Sequence, residues 1–185
     1  MKTLCGICMF LFLVGCSSSS KVAYSSSELA DFKNLIESRF YSFGAHSAHP
    51  MVSTSLNAIS NAGMLPMGST VSNIQLTKKG NYLKIEGDTV AAHLSYYGER
   101  QSGGSYGKDV GIEFKGVPED YEAIFDSSNN EYTVRFEISE KSENYNVVLT
   151  VFPNRNARVY INSSQRNAIS YTGDIEAIDT NNQDL

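Results

Sequence analysis

Two successive runs between residues 131 and 152 alternate apolar and polar side chains, and this pattern restricts the fold more than any other feature of the sequence. Tyr132, Val134, Phe136 and Ile138 take one side of the first run, and Tyr145, Val147, Leu149 and Val151 take one side of the second. Successive side chains of a strand point to opposite faces, so a period of two over this length predicts two extended segments, each burying one face. Residues 140–143 separate the runs as a turn, short enough for antiparallel neighbours. Pro153-Asn154-Arg155-Asn156 turns the chain again, into strands predicted at 157–163 and 168–178.

The same alternation of strand and turn extends upstream. Strands are predicted at 40–51, 73–77, 82–85, 89–97, 111–115 and 121–125, with Lys79-Gly80-Asn81 and Glu86-Gly87-Asp88 among the turns. The acidic pair Glu119-Asp120 reads as solvated turn residues. Residues 52–67, with Pro50, Gly63, Pro66 and Gly68 in or beside them, read as a loop. So does 98–111, which carries Gly98, Gly103, Gly104, Gly107 and Gly111. One helix is predicted, over 26–39. Ser25 and Glu28 fit a capping box, and Leu29, Phe32, Leu35, Ile36, Phe40 and Phe43 recur at helical spacing, with Asp31, Lys33, Asn34 and Glu37 on the other face. That polar face is not basic and offers an anionic lipid surface little, so the apolar stripe is expected in the core. The fold class expected is α+β, one N-terminal amphipathic helix packed on a curled antiparallel β-meander of seven to nine strands. A curled open sheet and a partly closed barrel both satisfy the pattern.

Residues 4–14 form an apolar run of eleven after Met1-Lys2-Thr3. At ~1.5 Å per residue it reaches only about half of a ~30 Å hydrocarbon core, which suits a signal sequence and not a membrane span. Leu13-Val14-Gly15-Cys16 follows. It resembles the bacterial lipobox, in which a small residue admits a peptidase and an obligatory cysteine takes a diacylglyceryl group. Cleavage is therefore expected between Gly15 and Cys16, with Cys16 lipidated and its freed amine further acylated. A single acyl chain, at roughly 0.8 kcal/mol per buried CH₂, anchors only marginally; two or three hold durably. The plainer alternative is an ordinary signal with Cys16 incidental. The expected organisation is a signal peptide at 1–15, a lipidated Ser-rich tether at 16–25, a single α+β domain at 26–178 and a frayed tail at 179–185.

Cys5-x-x-Cys8 has the spacing of a redox or zinc half-site, but both residues lie in the part expected to be discarded. With Cys16 consumed by lipid, no thiol would remain for a disulfide or a nucleophile. The chain carries 15 basic and 20 acidic residues, net −5, and Lys and Arg do not cluster. A nucleic-acid partner is therefore not expected.

Three stretches carry a family resemblance. The first is Leu35-Ile36-Glu37-Ser38-Arg39-Phe40. The second runs from Tyr82-Leu83-Lys84-Ile85-Glu86-Gly87-Asp88-Thr89-Val90 through Leu94-Ser95-Tyr96-Tyr97-Gly98 to Gly111-Ile112-Glu113-Phe114. The third joins Val151-Phe152-Pro153-Asn154 to Ile169-Ser170-Tyr171-Thr172-Gly173. Together they resemble a family of uncharacterised Bacteroidetes lipoproteins that carry the domain of unknown function DUF4251. The resemblance covers most of 28–178 and implies a fold and a compartment, but no reaction and no site residues. Residues 52–67 are longer than the family's usual connection. No acidic cluster follows Cys16 of the kind that resembles a surface-export signal, so the periplasmic face of the outer membrane is expected.

Catalytic signatures are missing. No Gly-x-Ser-x-Gly elbow occurs, and Gly107-Lys108 lacks the remainder of a P-loop. His46-x-x-His49 lies in a predicted strand, where i and i+3 face opposite ways, and His93 stands apart, so no metal and no cofactor are expected. The best binding candidates are Tyr96, Tyr97, Arg100 and Tyr106, which combine aromatic faces and a guanidinium in a glycine-flanked loop. The alternative is that these tyrosines pack on the sheet and cap the core. Asp88-Thr89-Val90 resembles the Bacteroidetes O-glycosylation acceptor, with Thr89 as the acceptor residue; a plain Gly-Asp turn is the alternative. The function expected is a non-enzymatic envelope lipoprotein, anchored to the membrane, that binds a small ligand or an envelope protein. The alternatives are an assembly factor or an enzyme whose site is dispersed along the chain.

Overall fold

The computed structural model describes residues 24–102 and 111–178. Helix α1, Ser26–Ser38, starts at a complete capping box. Ser25 Oγ accepts the Glu28 N–H at 3.2 Å, and Glu28 accepts the Ser25 N–H at 2.8 Å. Both bonds satisfy donors that the first helical turn would otherwise leave orphaned. The helix stops where Arg39 turns left-handed, at φ 56°, and donates its N–H to the Ile36 carbonyl at 3.2 Å. Phe32, Leu35 and Ile36 are buried. Phe32 meets Tyr132 edge-on at 5.5 Å, and the Tyr132 hydroxyl donates to Glu37 at 2.7 Å.

Among the described residues ten strands follow: β1 Phe40–Pro50, β2 Ile74–Gln75, β3 Tyr82–Glu86, β4 Thr89–Ser95, β5 Gly111–Gly116, β6 Glu119–Asp126, β7 Glu131–Glu140, β8 Glu143–Val151, β9 Asn156–Ser163 and β10 Ile169–Ala177. Nine run in the order β5-β4-β3-β1-β10-β9-β8-β7-β6, and β2 pairs with β1 beside them. Every pairing is antiparallel. Chain neighbours are mostly sheet neighbours, and β1 joins the two halves by pairing with both β3 and β10.

The edges of this order, β5 and β6, are separated in the chain only by Val117 and Pro118. Two residues can link opposite edges only if the sheet curls until the edges approach. Phe114 of β5 accordingly lies 6.3 Å from the Phe136 ring of β7 and 5.4 Å from the Tyr145 ring of β8. Pro118, with no N–H to place in a ladder, suits the corner. The result is the expected α+β class, a helix on a curled antiparallel half-barrel.

The alternating runs turn one face inward, with Val134, Phe136, Val147, Leu149, Val151, Val159 and Ile161 nearly inaccessible. Tyr171 of β10 reaches through this core to donate to the Ser95 carbonyl of β4 at 3.0 Å. Strands β1 and β10 approach so closely that Gly173 has no room for a Cβ beside the Gly44 carbonyl and the Phe43 ring. The ladder shifts register just beyond, between Ala45 and Ser47.

Three expectations need correction. Residues 52–67 hold a helix, α2 Thr54–Asn61, capped by Ser53 Oγ accepting the Leu56 N–H at 3.2 Å. The strand expected at 73–77 shrinks to the two residues of β2, followed by a 3₁₀ turn at Lys78–Gly80. Glu119 and Asp120 open β6 rather than forming a turn; Asp120 sits at φ 50° where the register slips between Glu119 and Glu122. Among the described residues, no helix is long and apolar enough to cross a membrane.

Candidate functional site

Glu143 is the first residue of β8, and the period of two puts it on the same face as Tyr145, Val147 and Leu149. It is therefore carried inward and is only 4% exposed. A carboxylate in that position persists only with partners. Arg166, in the connection from β9 to β10, supplies two contacts, Nε to Oε1 at 2.8 Å and Nη2 to Oε2 at 3.2 Å. Arg100 adds Nη2 to Oε2 at 2.6 Å, and the Ser163 hydroxyl donates to Oε1.

Backbone pairing delivers the two arginines to one place. Residues 99–102 lie against 165–167, with Gln101 N–H donating to the Gln165 carbonyl at 2.7 Å and Asn167 N–H to the Glu99 carbonyl at 3.1 Å. Tyr96 clamps this junction, its hydroxyl within hydrogen-bond distance of the Glu99 and Asn167 carbonyls at 3.0 and 2.9 Å. The Arg166 guanidinium sits 5.2 Å from the centre of the Tyr96 ring, in reach of a cation–π attraction.

The electrostatics follow from burial and pairing. Burial alone would raise the Glu143 carboxyl, but hydrogen bonds from Arg166 and Ser163 and the Arg166 charge outweigh it and hold the group below its usual range. Burial pushes the Tyr96 phenol up to about 12, against the opposing Arg166 charge. The cluster is thus two guanidiniums around one ionised carboxylate.

These groups floor a cavity of about 410 Å³. It opens beside β5, which among the described residues pairs only with β4, and is bordered across the gap by the β7–β8 hairpin. Phe114, Tyr145 and Ala92 contribute to its wall, and Lys115 and Lys141 to its rim. Four cationic side chains (Arg100, Arg166, Lys115 and Lys141) line it against three anionic ones (Glu113, Glu140 and Glu143). Glu113 is met by His93 at 3.1 Å. The arrangement suits recognition of a negatively charged group.

The residues singled out in the sequence fall in different places. Arg100 lines the cavity. Tyr96 is buried and positions the floor, and Tyr97 is half-buried against the core. Tyr106, Gly15 and Cys16 lie outside the described residues. Thr89 opens β4 opposite Glu86, half-buried, beside an exposed Asp88 that pairs with Arg39 at 3.2 Å. His46 stands 3.8 Å from Asp174, while the His49 ring contacts Thr172 Oγ1 at 3.1 Å and the Ser72 carbonyl at 3.2 Å. Among the described residues, no group of three or more His, Cys, Asp or Glu could hold a metal.

Sequence reasoning missed Glu143, Ser163 and Arg166. Assigning 140–143 wholly to a turn left Glu143 in solvent, and the structure corrects this. A signal was present: extending the phase of Tyr145 and Val147 one step back places an acidic residue on the buried face.

A family model described as "Domain of unknown function (DUF4251)" matches residues 23–175. Among solved structures, the chain is similar to a DUF4251 family protein from Bacteroides eggerthii, with a TM-score of 0.55 at 14% identity over 82% of this chain and 88% of that one. That likeness is one of fold. No curated protein matches the chain.

Proposed function

This chain belongs to the DUF4251 family, and on that premise we propose that it is an envelope lipoprotein whose domain is a non-enzymatic binding module. The observation that carries the reading is the buried Arg100–Glu143–Arg166 cluster at the floor of a cavity of about 410 Å³. Concave sites of this size, with a few convergent polar groups and a partly apolar wall, take small ligands. Proton transfer is poorly served there. Glu143 is held below its usual range, which makes it a weak base at neutral pH, and Ser163 is committed to Glu143. The lipobox-like Leu13-Val14-Gly15-Cys16 supports an anchor of two or three acyl chains at Cys16, and the lack of an acidic cluster after it supports the periplasmic face of the outer membrane.

The test is capture of the lipidated protein from its native envelope after brief crosslinking, beside Cys16→Ala and a Tyr97/Arg100 double substitution. A co-purifying small molecule or a specific protein, lost with the double substitution, supports the reading; neither being found counts against it. Cys16→Ala should release the domain from membranes, and unchanged association would refute the anchor.

A second reading is favoured by β5, a six-residue edge strand that, among the described residues, pairs on one side only. Such an edge can accept a strand from an assembly partner. Crosslinks from Glu113 or Lys115 to another envelope protein would support it.

A further inference from the structure

We propose that the cavity selects a small molecule with an oxyanion head, a carboxylate or a phosphate, and that Arg100 is the residue that meets it. The inference rests on the cavity being the binding site. It goes further by assigning the chemistry of the ligand.

The two arginines differ in how much of each guanidinium is committed. Arg166 has a side chain only 4% exposed and grips Glu143 with Nε and Nη2 together. It is the fixed member. Arg100 is 25% exposed and reaches Glu143 through Nη2 alone. Its Nε is buried and, among the described residues, has no hydrogen-bond partner. An Nε closed to solvent is not reached from the cavity, so an oxyanion meets the exposed part of the Arg100 guanidinium, whose planar fork suits carboxylate and phosphate oxygens.

The surroundings carry the same sign. Glu143 is saturated by two arginines and Ser163, and Glu113 is engaged by His93. Among the described residues, Lys115, Lys141 and Glu140 have no ion-pair partner, and the lining holds four cationic side chains against three anionic ones. An anion entering the cavity therefore meets an excess of positive charge in a partly desolvated place, where screening by salt is weaker than at an open surface. Phe114 and Tyr145 add apolar lining beside the body of such a ligand.

The test titrates the full lipidated protein, in detergent micelles, with three probes that share a ring: benzoate, phenyl phosphate and benzyl alcohol. Calorimetry should show at least one anion binding about tenfold or more tightly than the alcohol, consistent with a charge-assisted hydrogen bond. Which anion it is distinguishes a carboxylate from a phosphate ligand. Arg100→Gln should lose that advantage, Arg100→Lys should keep part of it, and the surface pair Lys115→Gln/Lys141→Gln, which leaves the buried cluster untouched, should weaken the anion a few-fold. Benzyl alcohol binding as well as both anions would overturn the oxyanion inference while leaving the cavity as a ligand site. No binding of either anion overturns it as well, and the envelope capture then decides the broader reading alone. Full anion binding by a folded Arg100→Gln protein would remove Arg100 from the role.

Discussion

Arg166 holds Glu143 from two nitrogens, Nε at 2.8 Å and Nη2 at 3.2 Å, and both side chains are buried. Removing one partner of a buried ion pair strands the other, so Glu143→Gln should cost about 3–5 kcal/mol, read by urea unfolding at neutral pH. The pH dependence has a defined sign. The folded carboxyl lies below its ordinary value of 4.5. Its stabilisation is therefore complete above that value and disappears as pH falls through the lower, folded one. The gap between wild type and Glu143→Gln should narrow on acidification, and a gap that stays constant down to acid unfolding would count against an ionised Glu143.

Gly173 lets β10 lie against the backbone of β1. A Cβ on residue 173 would run into the Gly44 carbonyl oxygen and come within 2.7 Å of Phe43 Cε2. Backbone cannot step aside as a side chain can, so Gly173→Ala should destabilise by about 1–3 kcal/mol or more. Gly80 is the control, since a Cβ there meets nothing within 4 Å and its φ is ordinary. Gly80→Ala should be neutral or stabilise by up to about 1 kcal/mol through the unfolded chain. Equal losses from the two substitutions, measured by chemical denaturation, would show that the close approach is not what matters.

Much of this architecture was readable in advance because it repeats locally. The alternation around Phe136 and Leu149, the Ser25–Glu28 cap and the Gly87-Asp88 turn are each decided within a few residues. The parts that escaped are decided elsewhere. Helix α2 buries only Leu56, so it has no apolar stripe to read, and its Ser53 cap is what marks its start. The curl becomes visible only once β5 and β6 are known to be opposite edges. The floor of the cavity joins Arg100, Glu143 and Arg166, separated by 43 and 23 positions, and only the phase of Glu143 betrayed it. Tyr96, singled out in the sequence as a binding candidate, lies beside that floor, where its hydroxyl meets the Glu99 and Asn167 carbonyls and its ring is buried.

The tyrosines give an alkaline prediction. Burial, first among the causes, pushes Tyr96 and Tyr132 up to about 12, and Tyr41, Tyr145 and Tyr171 are also raised by it. A phenol whose folded value exceeds its unfolded value, ordinarily 10.0, contributes stability that is intact below that value and is lost as pH rises towards the folded one. Stability should fall steadily between about pH 10 and 12, and the absorbance of these tyrosinates should appear together with unfolding. Tyrosinate formed in full while the fold persists would contradict the burial of these rings.

Helix α1 should behave as part of the core and not as a removable cover. Phe32 is 2% exposed and packs edge-on against Tyr132, whose hydroxyl in turn holds Glu37. Emptying the Phe32 site should cost about 3–5 kcal/mol in Phe32→Ala. Tyr132→Phe, which keeps the ring and loses one hydrogen bond, should cost only about 0.5–1.5 kcal/mol. Hydrogen exchange separates the two possible consequences. If the helix and the half-barrel form one cooperative unit, protection of β7 and β8 amides falls along with that of the helix in Phe32→Ala, because β7 supplies the surface on which Phe32 rests. Loss of protection confined to residues 26–38 would instead make the half-barrel stable without its helix. The helix would then be free to leave the sheet without unfolding it.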